Sequence, residues 1–179
     1  LMKTRNRKCY LFALAIILCS YKSSLYAEVI KWDQVHYADG SFAISFPSKP
    51  LFSKESAIRS FASNKTLLKQ YQSQYNGASY TVGFARMENT VPLNDFYTHG
   101  RNGMLANLNA TLLLEKDVTV GELLGREFKA RTVIEESIYV ILGRIFYKSG
   151  VLYTLNVVSP INNQFQPEHE IFLNSLVIK

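Results

Sequence analysis

The sequence predicts an α+β domain, an antiparallel β-sheet meander flanked by helices, and three observations carry that prediction. Strand-like segments with alternating apolar and polar residues recur at short intervals between turn signals across residues 34–159. One segment, from Pro92 to Leu108, instead has helical spacing. No Pro- or Ser-rich linker, charge block or internal repeat divides the chain, so one domain is the expected count.

The chain opens with Lys3, Arg5, Arg7 and Lys8, an apolar run from Tyr10 to Leu18, and small and polar residues up to Leu25-Tyr26-Ala27. These are the three parts of a signal peptide, with cleavage expected between Ala27 and Glu28. A spanning helix needs roughly 20 apolar residues, and Ser20 and Lys22 interrupt this run before that length. Removal is therefore favoured over anchoring. Cys19 follows Leu18 instead of a small residue, which disfavours lipidation. The expected destination is the periplasm or the medium, and the expected mature domain is residues 28–179.

Losing the leader changes the chemistry of the chain. Residues 1–27 hold five of the 20 Lys and Arg side chains and none of the 14 acidic ones, so the formal +6 falls to +1. That balance excludes nucleic acid as a partner, because such binding needs a clustered basic face. Both cysteines, Cys9 and Cys19, also leave with the leader, and the mature chain then has no disulfide, thiol nucleophile or thiolate ligand. A domain of this size buries about 70% of its unfolded surface and holds together by packing. A soluble monomer without a cofactor or metal is expected.

The elements follow in order. Gln34–Tyr37 and Phe42–Phe46 read as strands joined through Gly40, and Pro47 and Pro50 are expected to stop regular pairing. Thr66–Tyr75 and Ala78–Met87 form the clearest hairpin, because Asn76-Gly77 is the pair that a tight primed turn prefers. Pro92 suits a helix start, with Leu93, Tyr97, Met104 and Leu108 close to one stripe. Gly100 lies on that stripe, where it allows close approach to a sheet. The meander then runs Leu112–Val120, Arg126–Glu136, Ile138–Tyr147 and Val151–Ser159. Arg126–Glu136 alternates as a strand with one wet face, whereas Ile138–Tyr147 is apolar on both faces and belongs in the sheet centre. Glu168–Asn174 reads as a short helix with Ile171 and Phe172 inward, and Leu176–Ile178 as a strand closing the chain on its own sheet.

The Phe42-Ala-Ile-Ser-Phe-Pro-Ser-Lys-Pro50 opening, Gly121, Gly125-Arg126-Glu127, Arg144 with Tyr153, and Phe172-Leu173-Asn174-Ser175 form a familiar set. With them the chain resembles small bacterial exported proteins of the PsbP-like, Mog-type fold over most of residues 42–178. The resemblance implies an antiparallel sheet sandwiched by helices, an α/β/α arrangement. It also implies a binding or assembly role, as in a photosystem extrinsic subunit and a Ran-binding factor, and it transfers no catalytic set to numbered positions.

The residues themselves point to little chemistry. His36, His99 and His169 fall in three separate segments with no zinc-protease motif. Asp95 and His99, four apart on the expected helix, are the best local ligand pair, yet two ligands leave a metal site half built. The alternative is a solvent-facing polar pair. Glu135-Glu136 are strand neighbours pointing to opposite faces, or a solvated turn, and cannot grip one bond. Gly121 and Gly125 have the wrong spacing for a phosphate cradle and are expected to shape a loop. No nucleophile-elbow pattern accompanies any serine.

Arg144 is the most informative charge, because it shares a strand face with Ile138, Val140, Leu142 and Phe146. It either pairs with a buried carboxylate as scaffold, the reading preferred here, or lines a pocket for an anionic ligand. Arg126, beside a glycine turn, poses the same choice. Two functions follow: an exported non-catalytic binding or accessory protein with an unknown protein partner, or a small-ligand carrier or hydrolase with a pocket near Arg144.

Overall fold

The computed structural model describes residues 32–37, 39, 41–59, 65–87 and 92–179. The expected leader, with Ala27 and Glu28, lies outside the described residues, as does Gly40 of the first turn. The elements run β1 (Asp33–Tyr37), β2 (Phe42–Phe46), β3 (Leu51–Arg59), β4 (Lys65–Tyr75), β5 (Ala78–Arg86), α1 (Leu93–Asn107), β6 (Thr111–Val120), β7 (Leu123–Ile134), β8 (Ser137–Lys148), β9 (Val151–Pro160), α2 (Pro167–Asn174) and β10 (Val177–Ile178). The class is α+β, with antiparallel strands and the helices near the middle and end of the chain.

The strands form two sheets where one was expected. Seven pair in the order β3-β4-β5-β9-β8-β7-β6, and three pair as β1-β2-β10. The terminal strand therefore closes on β2 and not on the main sheet, with Val177 opposite Ala43. β8 lies inside the main sheet as its two apolar faces require, but the middle place belongs to β9. Pairing of β2 stops at Phe46, before Pro47, and after Pro50 the chain enters the other sheet, where β3 starts at Leu51 and pairs along β4. A bulge between Phe52 and Lys54 breaks the alternation of this edge strand, which is why its sequence pattern did not read as a strand.

The turns are built as their residues dictate. Asn76 and Gly77 both have positive φ, 48° and 73°, the primed geometry that matches strand twist. Glu135 and Glu136 also sit at positive φ, 48° and 65°, so they make the β7–β8 turn. Gly125 is inside β7, not in a loop. It and Gly143 solve one packing problem twice: Phe128 lies opposite Gly143, and Phe146 lies opposite Gly125. A Cβ at Gly143 would stand 2.1 Å from Phe128 Cζ, so the ring occupies the space a side chain would need.

Alternate residues of β8 feed two separate cores, as a strand covered on both faces must. Ile141 and Ile145 join Phe96 and Tyr97 of α1 with Phe128 and Ala130 of β7. Phe146 joins Phe42, Ile44 and Phe46 of the small sheet with Phe172 and Leu173 of α2. Phe42 meets Phe84 and Tyr153 edge to face at 5.1 and 5.5 Å. The close approach expected of Gly100 is present, since a Cβ there would lie 3.3 Å from Ile145 Cδ1. Two inward assignments fail. Leu93 and Ile171 are exposed, and the buried residues are Phe96 and Tyr97 on α1 and His169, Phe172 and Leu173 on α2.

Candidate functional site

Arg144 sits on the β8 face that α2 covers, and its side chain is only 5% exposed. The β7–β8 register places Glu127 directly opposite. Nε donates to Glu127 Oε2 at 2.7 Å, Nη1 to Asn174 Oδ1 at 2.7 Å and Nη2 to Glu170 Oε2 at 3.0 Å. The guanidinium thus ties β7, β8 and α2 together. Glu127 also receives Lys116 Nζ from β6 at 2.9 Å. Burial pushes the Glu127 carboxyl up, but the hydrogen bonds and charges of Lys116 and Arg144 outweigh it and hold the group below its ordinary range. Three residues of the family-like motifs, Glu127, Arg144 and Asn174, meet at this joint. Ser175, the next motif residue, accepts the Ser45 main-chain N–H at 3.0 Å and so ties the end of α2 to β2.

Arg126 lies on the opposite face. Its Nε is 3.1 Å from Asp117 Oδ1, an ion pair outside hydrogen-bond geometry, while Nη2 donates to Asn94 Oδ1 at 3.4 Å. The guanidinium carbon lies 5.8 Å from the centre of the Tyr97 ring. Nearby Arg101 of α1 pairs with Glu115 of β6. These contacts hold α1 against β6 and β7. Asp95 and His99 are both exposed on α1, and His99 Nδ1 is 2.9 Å from the Asp95 main-chain oxygen. The contact runs through the Asp95 backbone.

Sequence reasoning passed over two features. His169 is buried, with its ring 5.8 Å from that of Tyr80, and burial pushes its pKa below the ordinary value. Neither ring nitrogen meets hydrogen-bond geometry with a described residue, although the nearby Gln164 main chain and the flanking Glu168 and Glu170 favour the charged form. The second is β6, the edge of the seven-stranded sheet, where Leu112, Leu113 and Leu114 are all exposed. The signal was an uninterrupted leucine run before Glu115-Lys116-Asp117, read as an ordinary strand of the meander. An open cleft of about 490 Å³ lies around the Asn76-Gly77 turn, Ile134, Tyr139 and Val158, and Arg144 is not among its walls.

Among the described residues no helix is long and apolar enough to cross a membrane. No protein-family model and no curated protein matches the chain. Solved structures do match. The solution structure of cyanobacterial PsbP (CyanoP) from Synechocystis sp. PCC 6803 matches with a TM-score of 0.60 at 10% identity, over 89% of this chain and 99% of that one. PA94, a protein of unknown function from Pseudomonas aeruginosa, matches with a TM-score of 0.50 at 9% identity, over 83% of this chain and 97% of its own. A Bacteroides thetaiotaomicron protein gives 0.51 at 11% identity, over 82% of this chain and 48% of the other. Identities this low speak for the fold alone. The chain has a PsbP-like fold.

Proposed function

We propose that this protein is an exported accessory protein that binds another protein and carries out no chemistry. The observation that carries the reading is the edge of the main sheet, unpaired among the described residues, where Leu112–Leu114 present apolar side chains to solvent on a ten-residue strand. Three exposed leucines on a sheet edge are a liability unless something covers them. The likeness to CyanoP supports the fold and names no partner here. In this reading the leader is removed between Ala27 and Glu28, residues 28–179 act as a monomer in the periplasm or the medium, and the two cores are the layers of an α/β/α sandwich. Arg144 and Arg126 serve as scaffold, and Asp95 and His99 as a solvent-facing pair.

The test is capture. The immobilised protein is exposed to envelope and secreted fractions of the source cells under mild crosslinking, beside Leu113→Gln and Leu114→Gln variants. A stoichiometric partner retained by the parent and lost from both variants supports the reading. Retention that ignores the variants, or turnover abolished by one point change, defeats it.

A further inference from the structure

β7 satisfies one row of main-chain groups on β6, and among the described residues no strand pairs with the other row. Proteins commonly blunt such an edge with proline, shortness, charged side chains, a bulge or a cover, and β6 carries two of these, the charges Glu115-Lys116-Asp117 and a bulge at its start. β6 has ten residues and no proline. A bulge between Leu112 and Leu114 bends its start and leaves Leu114–Val120 in regular register with β7.

Side chains along that regular stretch alternate between two faces. Glu115 and Asp117 share the face of Phe128 and Arg126, toward α1, and Leu114, Lys116 and Val118 share the face of Lys129, Glu127 and Gly125. Lys116 and Asp117 are 59% and 87% exposed. The edge therefore offers Leu114 and the half-buried Val118 with Lys116 between them on one face and Asp117 on the other. Lys116 already pairs with Glu127 and Asp117 with Arg126 on the β7 side, and both stay largely exposed. That pattern has a complement.

We propose that β6 accepts an extended segment of a different protein as an added antiparallel strand, with apolar residues opposite Leu114 and Val118, an acid opposite Lys116 and a base opposite Asp117. This rests on the accessory-binding reading above and adds its mode. Main-chain hydrogen bonds supply the attachment, and alternate side chains supply the register. A second copy of this chain fits poorly. A two-fold antiparallel pair keeps each face on the same side, so residues of equal parity meet. Centring it on Glu115, Lys116 or Asp117 sets that residue against its own copy, and like charges directly opposite are unfavourable. Centring it on Leu114, which overlaps as many residues as centring it on Asp117, sets the bulge of each copy between Leu112 and Leu114 against Glu115 and Lys116 of the other.

The experiment uses the purified, isotope-labelled protein and two synthetic ten-residue peptides of one composition. The first places valines opposite Leu114 and Val118, a glutamate opposite Lys116 and a lysine opposite Asp117, and the second exchanges its glutamate and lysine. The first peptide should shift the β6 amides, slow their exchange with solvent and bind roughly tenfold more tightly than the second. Equal affinities, shifts centred away from β6, or self-association through β6 as concentration rises would each overturn the proposal. If neither peptide engages β6 while a captured partner is still lost from Leu113→Gln and Leu114→Gln, strand addition fails and the accessory reading stands. If the capture fails as well, both fall.

Discussion

Replacing Arg144 with methionine separates scaffold from ligand site. The substitution keeps most of the side-chain volume and removes a charge whose side chain is 5% exposed. Glu127, 19% exposed, would then keep only Lys116, which is itself 59% exposed. Breaking a buried pair by removing one partner costs about 3–5 kcal/mol. The outer contact to Glu170, 61% exposed, adds under ~1 kcal/mol. The surviving Lys116 contact reduces the loss, so a destabilisation of about 2–4 kcal/mol is expected. For a chain of this size that lowers Tm by about 5–15 °C. Urea denaturation followed by fluorescence and circular dichroism measures it, and a Glu127→Leu/Arg144→Met double variant should recover much of the loss.

The pH dependence gives a second readout. The native Glu127 pKa lies below its unfolded value, so its contribution is present above about pH 4.5 and lost as pH falls through the lowered native value. In Arg144→Met that acid limb should flatten. A change below about 0.5 kcal/mol, within the range of ordinary surface substitutions, would refute the scaffold argument and return Arg144 to the role of a ligand-binding cation.

Gly143→Ala should destabilise by about 1–3 kcal/mol through overpacking against Phe128, although alanine in an open strand is favoured over glycine by about 0.5–1 kcal/mol. In a Phe128→Ala background the same change should become neutral or stabilising, which a double-mutant cycle by denaturation would show. His169, whose native pKa is lowered mainly by burial, should cost stability as pH falls from about 6.5 toward its native value. Its ring faces Tyr80, with Glu168 and Glu170 on its own helix. His169→Leu should remove that limb from the Tm-versus-pH curve, and an unchanged curve would mean the imidazole is not held neutral. Intact mass and N-terminal sequencing of the exported protein should place its first residue at Glu28.

Local pattern was most readable where one strand or turn decides the outcome. Asn76-Gly77 specifies its hairpin by backbone preference alone, and β8 announces its buried place through apolar residues on both faces. The two-sheet division was hidden, because β10 has only two residues and its choice of β2 depends on where α2 ends. Ile171 and Phe172 are adjacent, and packing alone turns Phe172 toward Phe46 and Tyr80 while Ile171 faces out. At Arg144 the need for a partner was legible from the strand face, but Glu127 looked like part of a wet face until the register and α2 covered it. The leucines of β6 were misplaced for a related reason. Nothing within Thr111–Val120 shows that no further strand follows beside it, since strand order is a property of the whole sheet.

The most direct test of accessory binding through β6 is site-specific photocrosslinking in the source cells, with the reactive residue placed at Leu113 and, as control, at exposed Val177 on the small sheet. One defined adduct with a different protein, formed from Leu113 and absent from Val177, is the predicted result. Adducts formed equally from both positions, or only between copies of this chain, would contradict the account.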